Sequence, residues 1–136
     1  MIYIGIDPGT HTGFAVWDSD ARRFQSLQTL PLHKALDEVE IWEMNNPCEV
    51  VFEDARLRTW FGKGDTNAKL QGAGSIKRDC AIWEEFLTDN GIPYQAVAPI
   101  KGATKVSPEW FKTISGYKGK CSQHARDAAM LVIGKG

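Results

Sequence analysis

Four residues in this sequence have the types and spacing for metal-assisted chemistry: Asp7, Glu53, His124 and Asp127. Asp7 ends the apolar run Ile2 to Ile6 and is followed at once by Pro8-Gly9, and Glu53 ends the short, nearly all-apolar run Cys48 to Phe52. Runs of this kind bounded by Gly and Pro read as strands, so both carboxylates fall at strand C-termini. His124 and Asp127 are three residues apart in a stretch whose alanines recur at helical spacing, which puts them on one helix face about a turn from each other. Carboxylates gathered in a low-dielectric cleft repel one another, and such a set is stable only with raised pKa values or with bound cations. Two divalent ions about 4 Å apart, held by carboxylates, are the arrangement that activates water and stabilises a leaving oxygen in phosphodiester cleavage. His124 is either a ligand that suits Mn²⁺ better than Mg²⁺ or a proton carrier, since an unperturbed imidazole titrates near neutrality.

The elements that must position these groups can be read in order. Ile2 to Asp7, Gly13 to Asp18 and Phe24 to Leu30 are three strands with short connections, an antiparallel meander. The third alternates Phe24, Ser26 and Gln28 against Gln25, Leu27 and Thr29. Leu32, Leu36, Val39 and Trp42 recur at helical spacing until Asn45-Asn46-Pro47 ends the helix. Cys48 to Glu53 reads as a strand buried on both faces and parallel to its neighbour. Residues 55–68 form a basic, Gly-containing loop. Ile76, Cys80, Trp83 and Leu87 follow as the sheet-facing stripe of a long helix from about Lys69 to Asn90. Tyr94 to Ala98 is a further strand, Lys101 to Pro108 a polar connection and Pro108 to Ile114 a short helix. Ser122 caps the last helix, with Ala125, Ala128, Ala129 and Val132 on its packing face. The order β-β-β-α-β-α-β-α-α implies one α/β domain over residues 1–136. Its mixed sheet has three antiparallel strands, then two parallel ones, with helices for both faces. If the strands ending in Asp7 and Glu53 are parallel neighbours, the carboxylates sit side by side where ligands gather in such sheets.

Bulk properties narrow the function classes. With 136 residues, 43% hydrophobic and 24% charged, the chain suits one globular domain. No run of about 18 apolar residues marks a membrane span, and no basic-then-apolar N-terminal segment marks export. Cys48, Cys80 and Cys121 are odd in number and widely spaced, which argues against a disulfide framework and a zinc site and for a reducing cytoplasm. The net charge of −1 hides an asymmetry: residues 1–54 carry three bases against ten acids, and residues 55–136 thirteen bases against seven acids. A basic second half is the expected footprint of a nucleic-acid surface.

Candidate phosphate contacts in that half are Arg56, Arg58, Lys63 and Lys69 in and after the basic loop, and Lys101, Lys105, Lys118 and Lys120 further on. Lys101 and Lys105, just before the late helices, are placed to approach the scissile phosphate. Trp60 and Phe61, interleaved with the first group, offer flat surfaces for unstacked bases. Ile82 and Phe86 form a second apolar pair on the long helix, beside its main stripe, which fits either further core burial or a two-fold interface.

The stretch G-I-D-P-G-T-x-x-T-G-F, the strand V-V-F-E and the late H-A-R-D-A-A resemble the RuvC-like Holliday-junction resolvases, particularly the short phage and bacterial relatives, within the RNase H-like superfamily. The motifs span residues 4 to 131 in matching order. The resemblance implies an RNase H-like fold, a homodimer in a bacterial or phage-infected cell, and Mg²⁺- or Mn²⁺-dependent paired nicking of a four-way DNA junction. It places the acidic metal ligands on Asp7, Glu53 and Asp127, the remaining ligand position on His124, and an aromatic wedge at Trp60 or Phe61. Asp54 adjoins Glu53, but strand pattern and motif favour Glu53. Three other readings share some of these features. Fork or flap DNA or RNA–DNA hybrids would use the same metal chemistry, and a non-catalytic DNA-binding member would be expected to have a broken acidic set. The D-P-G-T turn is similar to the phosphate-binding turn of actin-like ATPases, but those need two such lobes, so no nucleotide cofactor is expected.

Overall fold

In a computed structural model of the chain, residues 1–58, 67–100 and 105–136 are described, residues 67–73 by their backbone alone. The first three strands, β1 (Ile2–Asp7), β2 (His11–Asp18) and β3 (Arg23–Pro31), form the expected antiparallel meander. A helix, α1 (Leu32–Asn45), returns the chain to β4 (Cys48–Glu53), which pairs parallel to β1. The longest helix, α2 (Asn67–Asp89), then leads to β5 (Tyr94–Val97), parallel to β4. Two short helices close the chain, α3 (Pro108–Ser115) and α4 (Gln123–Met130). The sheet order is β3-β2-β1-β4-β5.

Because side chains alternate along a strand, each central strand feeds two cores. Ile2, Ile4 and Ile6 of β1 and Val50 and Phe52 of β4 pack against Ala35 and Val39 of α1 and Cys80, Trp83 and Leu87 of α2. The opposite face carries Ala15, Trp17 and Val51 against Phe111 of α3 and Ala125, Ala128, Ala129 and Val132 of the last helix and its following turn. Cys48 and Cys80 are buried, and burial pushes each thiol up to about 11, so they behave as small apolar side chains. No helix among the described residues is long and apolar enough to cross a membrane.

Two expectations are corrected. Strict alternation in β3 would put Phe24 and Leu27 on opposite faces, yet both pack against the α4-side core. A register irregularity between Val16 and Trp17 pairs Trp17 with Phe24 but Val16 with Ser26, and the extra residue resets the alternation. Ile76 leaves the buried stripe of α2 and is 39% exposed, because the N-terminal part of that helix runs past the strand ends.

The approach of α4 to the sheet is set by glycine. A Cβ on Gly5 would stand 2.1 Å from the Ala128 carbonyl oxygen, and one on Gly13 would stand 2.0 Å from that of His124. Neither glycine has positive φ, so the requirement is space, not backbone freedom. At the N-terminus of α4 the Ser122 hydroxyl accepts from the Ala125 amide at 3.1 Å and meets the Thr29 hydroxyl of β3. Arg126, 7% exposed, donates to the Val106, Cys121 and Gln123 oxygens at 3.1, 2.7 and 3.1 Å, tying the approach loop to the helix.

After β4 the chain makes a single 3-10 turn, Ala55–Leu57, capped by Asp54. The Asp54 side chain is 2% exposed and takes a two-pronged bond from Arg56 at 2.9 and 2.8 Å, and the same guanidinium reaches Glu84 of α2 at 3.0 Å. These bonds from Arg56 hold the Asp54 carboxyl below its usual range.

Gly5→Ala and Gly13→Ala should each lower stability by about 2 kcal/mol or more, as overpacking does where neither backbone can yield. Gly74→Ala, whose Cβ meets nothing within 4 Å on α2, should gain about 0.5–1 kcal/mol. Urea midpoints of the three variants check the contrast. Asp54→Asn should cost about 1–3 kcal/mol at pH 7 for loss of a buried charge-assisted pair. A carboxyl with a lowered folded pKa stabilises above its unfolded value near 3.9 and loses that contribution as pH falls through the folded value. The wild-type advantage should therefore shrink below about pH 4, as urea titrations at pH 7 and pH 3 would show.

Candidate active site

Alternation along β1 puts Gly5 and Asp7 on the same face of the sheet, and the Asp7 partner across β2 is Gly13. Along β4 the same rule puts Glu53 with Val51, which packs in the α4-side core. Ile6 pairs with Phe52 in parallel register, so Asp7 and Glu53 are the next residues on adjacent strands. Both carboxylates thus leave the C-terminal ends of β1 and β4 toward α4, and the close seating of α4 on Gly13 brings His124 and Asp127 over them.

Proximity is visible in the contacts. His124 Nδ1 lies 3.3 Å from Asp7 Oδ2. Asp127 Oδ2 accepts from Lys105 Nζ at 2.9 Å and its Oδ1 from Gln123 Nε2 at 2.8 Å. Burial, followed by repulsion from Asp127, pushes the Asp7 carboxyl up, against the opposing pull of the His124 hydrogen bond and of Lys105. Glu53 is pushed up in the same way by burial and then by Asp7. The hydrogen bond to Asp127 holds the Lys105 ammonium protonated above its ordinary value, with Asp7 and Glu53 adding attraction. Three carboxylates and one lysine therefore form one electrostatic unit.

A cleft of about 540 Å³ opens beside this unit, lined by the Pro8–His11 turn, Ser75 and Ile76 of α2, Lys105, and Gln123, His124 and Asp127 of α4, with Asp7 at its wall. Thr12, fully buried, donates to the Gly9 carbonyl at 2.9 Å and holds the turn that borders it.

The four candidate ligands are brought near one another but are not poised on a common point: among the described residues, no three His, Cys, Asp or Glu groups stand close enough to hold a metal ion. The reason is local. Both Asp127 oxygens are engaged by Lys105 and Gln123, and Asp7 is turned to His124. The donor set nonetheless fits a hard divalent cation: carboxylate oxygens, near enough that Asp127 pushes up the Asp7 carboxyl and Asp7 that of Glu53, with one cation already drawn in from the chain itself.

The predicted DNA contacts divide. Lys105 lies at the site. Lys118 and Lys120 are exposed and line a second cleft with Lys112 and Tyr117 beside α3. Arg56 is engaged by Asp54 and Glu84, which gives it a structural task. Arg58 follows the 3-10 turn and is half-buried. Trp60, Phe61, Lys63, Lys101 and the side chain of Lys69 lie outside the described residues. Of the apolar pair on α2, Phe86 packs edge-on to Trp83 at 6.0 Å and joins the core. Three contributors were missed by the sequence reading. Gln123 was legible as a partner of Asp127 at i, i+4. Arg126 sits inside the quoted motif but shows its loop-clamping role only in three dimensions. His11 enters the cleft only through the turn geometry.

No protein-family model matches the chain, and no curated protein does. Among solved structures, T. thermophilus RuvC in complex with Holliday junction substrate is similar over 98% of this chain and 91% of that chain, with a TM-score of 0.60 and 18% sequence identity. The chain thus has the RuvC-like, RNase H-like fold: a five-stranded mixed sheet with helices on both faces.

Proposed function

We propose that this protein is a divalent-metal-dependent endonuclease that resolves four-way DNA junctions by paired phosphodiester nicks, acting as a homodimer. The observation that carries the reading is the placement of Asp7 and Glu53 on adjacent parallel strand ends, with Asp127 across from them. Two of these carboxyls are raised by burial and mutual repulsion, the electrostatic state that bound cations relieve. The fold shared with a junction-bound RuvC over nearly the whole chain supports branched DNA as the substrate.

Asp7, Glu53 and Asp127 would hold Mg²⁺ or Mn²⁺, with His124 as a further ligand or as the proton carrier. Bound there, such ions would supply an activated water and stabilisation of the leaving oxygen. The chain's own groups do the rest. Lys105 lies at the acidic unit as a positive charge for the phosphate backbone. His124, half-exposed with Nδ1 beside Asp7 Oδ2, would carry a proton through its imidazole ring. The Pro8–His11 turn and Ser75-Ile76 of α2 both line the cleft into which a strand would enter. Lys118 and Lys120 extend the positive surface past α3, and Trp60 or Phe61 would stack on bases at the branch point.

Labelled four-way junction, fork, duplex and RNA–DNA hybrid, each with and without Mg²⁺ or Mn²⁺, separate the substrate classes. Symmetric paired nicks on the junction alone, and only with metal, are expected. Cleavage of the hybrid in preference would assign RNase H-type activity instead. Asp7→Asn should abolish nicking, by about 10³-fold or more given its place in the metal site. Junction binding should be unchanged or tighter, since a negative charge leaves the cleft. Metal-dependent cleavage at the wild-type rate by this variant would remove Asp7 from the catalytic set.

A further inference from the structure

We infer that Lys105 is a displaceable counter-cation of the acidic cleft. Its ammonium holds Asp127 until a divalent ion takes that place, and the released lysine then engages a substrate phosphate, so that metal and DNA binding reinforce each other. The inference rests on the metal-nuclease reading above and adds the order of partners at the site.

Asp127 has two carboxylate oxygens, and each already has a donor: Gln123 Nε2 on Oδ1 and Lys105 Nζ on Oδ2. Each oxygen keeps a second lone pair for a metal ion, but an ion seated on Oδ2 would stand beside the Lys105 ammonium at like charge, and of the two donors only the lysine is repelled by it. Gln123 stands four residues back on the same helix, so its position is fixed by α4. Lys105 reaches in from the segment between β5 and α3, and its side chain is 69% exposed against 18% for Asp127. The lysine can therefore withdraw into solvent without disturbing either core. Its charge also attracts Asp7 and Glu53, so it is the shared cation of three acids that would otherwise repel one another. A doubly charged ion among the same acids makes the lysine redundant and repels it. Once free, the ammonium remains beside the cleft as a strong donor for phosphate oxygens. Exchange of this kind couples the two ligands, and the coupling acts equally in both directions.

Calorimetric titration of Mn²⁺ into the DNA-free protein tests the exchange without any turnover. Lys105→Met should bind Mn²⁺ about three- to fivefold more tightly than wild type, the scale of a partly exposed ion pair. Lys105→Arg should stay near wild type. Lys112→Met, which removes an equal charge from α3, should change the affinity less than twofold. In chelator, Lys105→Met should melt below wild type and regain more on adding Mn²⁺, whereas a purely structural lysine would lower both values alike. With Ca²⁺ in place of the catalytic metals, metal should strengthen junction binding less for Lys105→Met than for wild type. Equal Mn²⁺ affinity in wild type and Lys105→Met, or an equal gain in Lys112→Met, overturns the exchange while leaving the nuclease reading intact. No Mn²⁺ binding by any of the proteins removes both.

Discussion

The contact on which the site depends is the direct seating of α4 on the backbone of β1 and β2. At Gly5 and Gly13 the helix carbonyls of Ala128 and His124 occupy the space in which any other residue would carry a Cβ. Alanines at 125, 128 and 129 keep the helix side equally thin. Interiors packed to this density transmit position faithfully, so the distance between the helix and the strand ends is set by backbone contact and not by adjustable side chains. His124 and Asp127 inherit that distance, and with it their approach to Asp7.

Around this contact the rest of the fold supplies direction. The parallel pairing of β1 and β4 brings Asp7 and Glu53 out of the same sheet end, and the capped 3-10 turn removes Asp54 from competition by giving its carboxylate to Arg56. Arg126 anchors the segment before α4 through three oxygens, which also steadies the region from which Lys105 reaches in. The two cores lie on opposite faces, so α1 and α2 can stabilise the sheet without intruding on the cleft, except where Ser75 and Ile76 pass its rim.

The acidic unit shows why charge and geometry must be read together. Three carboxylates in partial burial are costly, and the chain offsets that cost with a lysine, a histidine and a glutamine, leaving no preformed metal cage among the described residues. Resemblance in fold to a junction-bound RuvC at 18% identity says nothing of these side chains. What this chain does with them follows from its own contacts.

Much of the architecture was readable from the sequence because local rules act at short range. Period-two and helical spacing marked the five strands and four α-helices to within a few residues, and the acids at the ends of two apolar runs placed Asp7 and Glu53 at neighbouring strand ends. The lone Asp127 and His124 were legible as one helix face. Other features required the tertiary structure. The bulge that unites Phe24 and Leu27 depends on how β2 pairs with β3, and the exposure of Ile76 depends on where α2 outruns the sheet. The division of labour between Glu53 and Asp54, and between the lysine at the site and the arginine at the turn, is decided by which charges meet after folding. Sequence by itself determined which groups could do chemistry and on which elements they ride. Only the tertiary structure decided their partners, because hydrogen bonds and charge pairs between residues as distant as Asp7 and His124, or Lys105 and Asp127, exist only once the helix is pressed onto the sheet.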